Sequence, residues 1–246
     1  MSSLNLHASA TETLSITVPN RAAAIPFRFY TASKQHVVGI LQGSTYPIVP
    51  QIGSVNTIVD VGANVGSASV MLALKYPNAE VHALEPAPAA LTLLDENTAP
   101  LPQIHVHRHG LHDHTGSLRL YRSQWDPMSG SVLESAENTT NYDEVAFTSA
   151  AEWLHQQQID AIDILKIDTE GCEIPILRAL AEQATNARVV YLEYHSEADR
   201  RSIDTLLRDS HILASSTANH PHRGDVCYVH RETAYAAHHG RLIIAP

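Results

Sequence analysis

Val59-Asp60-Val61-Gly62-Ala63-Asn64-Val65-Gly66 is the stretch on which the reading of this chain turns. A short apolar run, Thr57–Val61, ends there in a turn carrying two glycines. An amphipathic stretch with Val70, Met71 and Leu74 on one face follows directly. Strand, glycine turn and helix in that order form the unit of a parallel sheet wrapped by helices, which opens its ligand crevice at strand ends. Gly62 and Gly66 allow backbone geometry that a side chain blocks, and Asn64 tolerates the left-handed region. The spacing is Gly-x-Asn-x-Gly, not the Gly-x-Gly-x-x-Gly of dinucleotide binders. Asp60 stands two residues before the first glycine, where a carboxylate repels phosphate and suits a cationic, amino-acid-bearing ligand.

The same alternation continues outward. Glu80–Leu84 reads as a second strand, followed from Pro86 by a helix with Ala87, Leu91 and Leu94 in register. Ile104–His109 is a third strand, and Leu118–Tyr121 with Val145–Phe147 forms a hairpin or loop excursion. Ser149 is expected to cap a helix bearing Ala150, Trp153 and Leu154. Ile162–Ile167 and Val189–Tyr194 are the fourth and fifth strands, separated by a helix with Ile174, Leu177 and Leu180. After a helix marked by Ile203, Leu206 and Leu207, Ile212–Ser215 and Val226–His230 close the chain as an antiparallel pair around Asn219–Asp225. The sum is one α/β domain over residues 56–246, doubly wound, with seven strands and a terminal hairpin. Residues 1–55 hold two short β-like runs, Leu14–Val18 and Arg28–Thr31, and read as an N-terminal extension packed on that domain.

Composition narrows the function. The 246 residues are 44% hydrophobic and 17% charged, a globular profile. Sixteen Lys and Arg against 26 Asp and Glu leave a net charge of −10. That excludes a general binder of nucleic acid or anionic membranes, which needs a cationic surplus. No apolar stretch approaches the ~18–20 residues of a membrane span. Arg21 is the first basic residue, so no charged secretory leader is expected. Cys172 and Cys227 read as free thiols in a reducing cytoplasm.

Glu85 ends the second strand. A carboxylate there can accept both hydroxyls of a ribose, each charge-assisted bond contributing roughly 1.5–3 kcal/mol when desolvated. Glu85 and the Asp60 turn together fit the ribose and sulfonium of S-adenosylmethionine. An NAD-type oxidoreductase lacks support, because the loop offers no phosphate cradle.

Asp60–Gly66, Leu84-Glu85-Pro86 and Asp163-Ile164-Leu165-Lys166-Ile167-Asp168-Thr169-Glu170-Gly171-Cys172-Glu173 resemble the FkbM family of S-adenosylmethionine-dependent methyltransferases. The resemblance covers roughly residues 45–230. It implies a class I methyltransferase, Rossmann-like, with a mixed seven-stranded sheet, and O-methylation of a sugar or secondary-metabolite hydroxyl. Residues expected to hold the cofactor are Asp60, Gly62, Ala63, Asn64, Gly66, Ser67, Glu85, Pro86 and Asp168. Leu111 and His112 join them, because the third strand's end flanks the adenine in similar enzymes. The sequence departs from the family pattern at Ala68, where an aromatic is common, at Pro47 after Tyr46, and at Ala179, where glycine is common.

Methyl transfer to oxygen is an in-line displacement, so the protein must align the acceptor and remove its proton. Lys166 and Asp168 alternate along the fourth strand and share a side, as do Glu193 and His195 on the fifth. His195 is the expected base, with Asp168 or Glu193 orienting it. Lys166 is expected to pair with Asp168 or Glu193. Glu170 and Glu173 follow at a helix start that favours negative charge. A divalent cation on Asp168, Glu193 and His195 is the alternative using the same residues. A non-catalytic protein that kept the fold is another, although it predicts decay of the cofactor loop.

His105, His107 and His109 read as one exposed polar edge, and His220-Pro221-His222-Arg223 as a hairpin tip. The expected partner is a small-molecule hydroxyl acceptor, with a homodimer left open and the cytoplasm as compartment.

Overall fold

The computed structural model describes residues 10–18, 23–122, 130–131, 141–220, 222–236 and 244–245. The first nine residues of the N-terminal extension and Pro221 of the hairpin tip lie outside them. The chain opens with β1 (Thr11–Ile16), β2 (Ile25–Tyr30) and α1 (Lys34–Leu41). Next come β3 (Thr57–Val61), α2 (Ser67–Lys75), β4 (Glu80–Leu84), α3 (Pro88–Thr98) and β5 (Ile104–His107). A side sheet follows, built from β6 (Gly110–His112), β7 (Gly116–Arg122), β8 (Gly130–Ser131) and β9 (Tyr142–Ser149). The second half runs α4 (Ala150–Gln157), β10 (Ile164–Ile167), α5 (Glu173–Asn186), β11 (Val189–Tyr194) and α6 (Glu197–Leu207). β12 (His211–His220), β13 (Arg223–His230) and α7 (Arg231–Tyr235) complete it.

The main sheet has seven strands in the order β12-β13-β11-β10-β3-β4-β5. β5, β4, β3, β10 and β11 are parallel, while β13 runs antiparallel to both β11 and β12. The chain winds from β3 toward β4 and β5, then returns to β10 on the other side. The crevice at the carboxyl ends of β3 and β10 is therefore the switch point where such sheets bind ligands. Successive residues face opposite layers, as a pleated strand requires. Ile58, Val81, Ile164 and Val189 pack with Met71, Leu72 and Leu94. Val59, Leu165 and Val190 pack with Trp153, Leu177 and Ile203 on the other face.

The N-terminal extension contains more than two β-like runs. β1 and β2 form a hairpin paired from Thr11↔Tyr30 to Ile16↔Ile25, and Phe27 and Phe29 from β2 are fully buried in the α2–α3 layer. Asn97 of α3 locks this arrangement. Its Oδ1 accepts the Arg28 N–H at 2.7 Å, and its Nδ2 donates to the carbonyls of Arg28 and Val65, each at 2.8 Å. The hairpin thereby ties to the glycine turn. α1, which the sequence reading does not anticipate, follows and packs on α2.

Other boundaries shift for local reasons. The third strand stops at His107. Gly110 then passes beneath the Phe147 ring, where a Cβ would lie 2.4 Å from Cε1, and enters the side sheet beside β9. Ser149 occupies the N-cap position of α4 but makes no side-chain cap bond; its own N–H is bound by Thr115 Oγ1 at 2.9 Å. The terminal hairpin strands run to His220 and resume at Arg223, leaving a tighter turn than Asn219–Asp225. The exposed histidine edge also needs correction. Only His105 is exposed; His107 stacks on His82 and meets Trp153 edge-on at 5.3 Å. Burial pulls the His107 pKa down to about 4, so it is neutral there. Both cysteines are buried and free. Among the described residues no helix is long and apolar enough to cross a membrane.

Candidate active site

A cavity of about 340 Å³ opens at the carboxyl ends of β3, β4 and β10, within the size range of small-molecule sites. One half of its wall is the turn after β3. Gly62, Asn64 and Gly66 have φ of 80°, 53° and 91°. At Gly62 glycine is obligatory twice over: a Cβ would lie 1.8 Å from the Asp168 carbonyl oxygen. Gly62, Ala63, Asn64 and Ser67 line the cavity, and Glu85, Pro86 and Leu111 face them. Gly66 and His112 are not on the wall. Gly66 instead approaches Leu94 of α3, where a Cβ would come within 2.9 Å of Cδ1.

Glu85 is built as an acceptor. Its Oε2 accepts the Asn64 N–H and its Oε1 the Ala87 N–H, both at 2.7 Å. Each carboxylate oxygen has a second lone-pair direction, which leaves capacity toward the cavity. Burial pushes the Glu85 pKa up to about 7, against the pull of those two N–H groups.

Asp60 departs from its expected place. It is fully buried and does not reach the wall. Its Oδ2 accepts from Ser69 Oγ at 2.6 Å, and its Oδ1 lies 3.0 Å from Lys166 Nζ. The cause is register: Lys166 on β10 stands directly opposite Asp60 on β3. Lys166 therefore pairs first with Asp60; Asp168 is 3.8 Å away, and no Glu193 bridge forms among the described residues. The ammonium also donates to the Gly62 carbonyl at 2.6 Å, bracing the turn from below. Burial disfavours the charge, but Asp60 and Asp168 outweigh it and the Lys166 pKa is raised.

The other half of the wall draws on distant segments. Ser33, His36 and Ile40 come from α1 and its first turn, Tyr46 from the loop after it, Asp168 and Glu170 from the end of β10, Glu193 from β11 and Asp225 from β13. The Tyr46 hydroxyl donates to Asp168 Oδ2 at 2.7 Å. Burial raises the Asp168 pKa, yet Lys166, the Tyr46 hydroxyl and the Glu193 carboxyl outweigh it and the group is held low. Glu193 answers in the opposite sense: burial and the charges of Asp168 and Glu170 push it up to about 11. One proton thus resides between Glu193 and Asp168, on Glu193. Glu173 stays behind the wall, where its carboxylate accepts the N–H groups of Thr169 and Gly171 at the start of α5.

His195 is not on the cavity wall. Arg223 donates to its Nδ1 from Nε at 3.0 Å and from Nη2 at 2.7 Å. Guanidinium only donates, so Nδ1 must be the unprotonated nitrogen and Nε2 carries the ring proton. Nε2 lies 3.2 Å from Glu193 and 3.6 Å from Glu173. With the Nδ1 lone pair accepting from Arg223 and the proton on Nε2, His195 has no open lone pair to take a proton from an acceptor. The same constraint bears on metal binding. Ligand atoms of Glu170, Glu193 and His195 lie within 4.8 Å of one another, but a protonated Nε2 does not ligate, and Arg223 already occupies Glu170 at 2.9 Å. A divalent cation there would have to displace both the Nε2 proton and the Arg223 contact.

The sequence reading missed Ser33, His36, Ile40, Tyr46 and Asp225. Its one available signal was Tyr46, an aromatic ahead of the glycine turn.

Comparison with known proteins places the chain in a family. Residues 60–218 match the model of the Methyltransferase FkbM domain. The chain is 25% identical over 155 residues to the 2-O-methyltransferase NoeI of Sinorhizobium fredii, covering 57% of this chain and 63% of NoeI. It is 27% identical over 187 residues to the methyltransferase sdnD of Sordaria araneosa, covering 62% and 71%. The match thus spans less than two thirds of NoeI. Among solved structures, Aeropyrum pernix fibrillarin in complex with natively bound S-adenosyl-L-methionine superposes with a TM-score of 0.50 at 12% identity, over 88% of both chains. That likeness shows the fold: a class I methyltransferase sheet. The chain belongs to the FkbM methyltransferase family.

Proposed function

We propose that this protein transfers the methyl group of S-adenosylmethionine to a hydroxyl of a small molecule, a sugar or a secondary metabolite. The observation that carries the reading is Glu85: a buried carboxylate, pinned by two backbone N–H groups, on the same cavity wall as the left-handed turn Gly62–Gly66. Glu85 would hold the ribose hydroxyls, Leu111 and Pro86 would receive the adenine, and Asp168 on the same wall would face the sulfonium end. When bound, the sulfonium supplies the methyl group for in-line displacement. Asp168, which lines the cavity, would take the role the sequence suggested for the buried Asp60. The similarity to NoeI, a 2-O-methyltransferase, supports oxygen as the acceptor atom.

Calorimetry with S-adenosylmethionine and, separately, NADH tests the first half. The sulfonium ligand is expected to bind and the nicotinamide to give no heat. The reverse pattern overturns the reading. A screen of sugars, alcohols and phenols with radiolabelled methyl donor tests the second half, and binding without transfer to any hydroxyl leaves only a binding protein.

A further inference from the structure

We propose that His36 of α1 takes the proton from the acceptor hydroxyl, an assignment that rests on the methyl-transfer reading above. The argument begins with the helix. Ser33, His36 and Ile40 are spaced three and four residues apart, which places them on one side of a helix, and all three line the cavity. Val37, one residue on, is fully buried in the core with Phe27 and Met71. That buried valine fixes the rotation of α1 and so the direction of His36. α1 is the roof of the acceptor half, and its histidine is held there by packing rather than by chance exposure.

Asp168, Glu193, Glu170 and Lys166 on the wall, and His195 behind it, are poor proton acceptors, each for a stated reason. Asp168 accepts the Tyr46 hydroxyl on Oδ2, and the Lys166 charge 3.8 Å away and the Glu193 carboxyl further lower its basicity. Glu193 already holds the proton of the acid pair. Glu170 is taken by Arg223 at 2.9 Å. Lys166 is a buried ammonium bonded to Asp60 and the Gly62 carbonyl. His195 is off the wall, with its Nδ1 lone pair held by Arg223. Among the described residues that line the cavity, His36 is the one imidazole, the side chain used most often for general acid–base work. It is also exposed on its outer side, so a proton received inside can leave to water. The His36 and Asp168 charges interact, so an imidazolium formed in turnover faces a carboxylate.

The step balances without a further reactant. The acceptor oxygen forms a bond to the methyl carbon, and the carbon–sulfur pair stays on sulfur, which becomes a neutral thioether. The hydroxyl proton passes to His36 and then to solvent.

The test uses His36→Ala and His36→Gln in the full chain, with radiolabelled S-adenosylmethionine and a panel of methyl hexopyranosides, aliphatic alcohols and phenols. On whichever hydroxyls the parent protein methylates, kcat is expected to fall roughly 10²–10⁴-fold in both variants. The affinity for S-adenosylhomocysteine should stay within about twofold, and the acidic limb of the kcat–pH profile should disappear. Phenols, whose protons leave more readily, should lose less than aliphatic alcohols. An unchanged kcat, or a rise in KM alone, overturns the assignment and leaves His36 a wall residue. A matching loss of S-adenosylhomocysteine affinity and thermal stability overturns it as well, by showing a structural role. A parent protein that binds the sulfonium but methylates nothing in the panel sinks the underlying reading instead, and this one with it.

Discussion

The two halves of the cavity are assembled in different ways. The cofactor half is local: Gly62, Ala63, Asn64, Ser67, Glu85 and Pro86 come from two consecutive strand–turn–helix units joined by the single register of β3 and β4. The acceptor half is gathered from α1, the loop with Tyr46, and the ends of β10, β11 and β13. The first half binds what the whole family shares, and its backbone geometry tolerates little change. In the second half β10, β11 and β13 are fixed by backbone pairing, with Glu193 opposite Asp225, and variation is open to α1 and the Tyr46 loop, which meets those strand ends through side chains such as Tyr46 on Asp168. The difference teaches that one cavity can be rigid where the donor binds and open to variation where the acceptor does. Lys166 is the strut between the halves, touching Asp60, the Gly62 carbonyl and Asp168.

The largest effect is therefore expected at that strut. Lys166→Met keeps the volume but leaves Asp60 as an uncompensated buried carboxylate, with only Ser69 bonded to it. Removing one partner of a buried pair costs about 3–5 kcal/mol. Urea unfolding at neutral pH should show a loss of that order, with S-adenosylhomocysteine affinity falling too as the turn loses its brace. A variant as stable as the parent would mean that the halves stand independently.

Glu85→Gln should act on one half alone. Both Glu85 oxygens accept backbone N–H groups, so the amide must turn its NH₂ toward a donor. Losing the charge-assisted acceptor is expected to weaken S-adenosylmethionine binding by about 1.5–3 kcal/mol, or roughly 10- to 150-fold. Calorimetry reads this directly, and kcat at saturating donor should change little.

The same carboxyl makes a pH prediction with two opposite signs. The folded pKa of Glu85 is raised to about 7, so its contribution to stability is fully present below the unfolded value and is lost as pH rises through about 7. The ligand-free protein should gain stability from this group as pH drops. Donor affinity should move the other way, weakening below about pH 7 as the ribose acceptor takes up a proton. Glu85→Gln should abolish both trends. Affinity that is flat between pH 6 and 8 would remove Glu85 from ribose binding.

How much was legible in the sequence follows the same division. The five parallel strands and the Asp60–Gly66 and Glu85 motifs are visible because a pleated strand and a tight turn leave a local signature. α1 is not. Its segment, Lys34-Gln-His-Val-Val-Gly-Ile-Leu41, carries β-branched Val37, Val38 and Ile40 with Gly39, all weak helix formers, and Ser33 supplies no side-chain cap. Burial of Val37 and Ile40 overrides propensity there. Asp60 was misplaced because its partner, Lys166, comes from β10 and is brought opposite only by register. His107 was misread because Trp153, which covers it, arrives on α4. His195 looked like a base because a sequence cannot show Arg223 reaching its Nδ1. Local chemistry was readable; chemistry made by neighbours distant in the chain was not.

Tyr46→Phe gives the smallest and sharpest test, because it removes one oxygen from the acceptor half and nothing else. The ring packs edge-on against Tyr191 at 5.5 Å between centroids, a contact phenylalanine keeps. What goes is the hydroxyl donated to Asp168, a bond to a charged group worth about 1.5 kcal/mol. The Asp168 pKa is depressed in the folded protein, so its contribution is present above the unfolded carboxylate value and is lost as pH falls through the folded one. The destabilisation by Tyr46→Phe should accordingly be full at pH 7 and shrink toward zero in strong acid, as measured by urea midpoints across that range. Donor affinity should hold within about twofold, because Asp168 keeps its charge, while kcat falls several-fold, since about 1 kcal/mol of misorientation at Asp168 disturbs the alignment of acceptor and methyl group. If donor affinity falls as far as kcat, Asp168 belongs to the cofactor half, and the boundary between the two regions must be redrawn on the acceptor side of it.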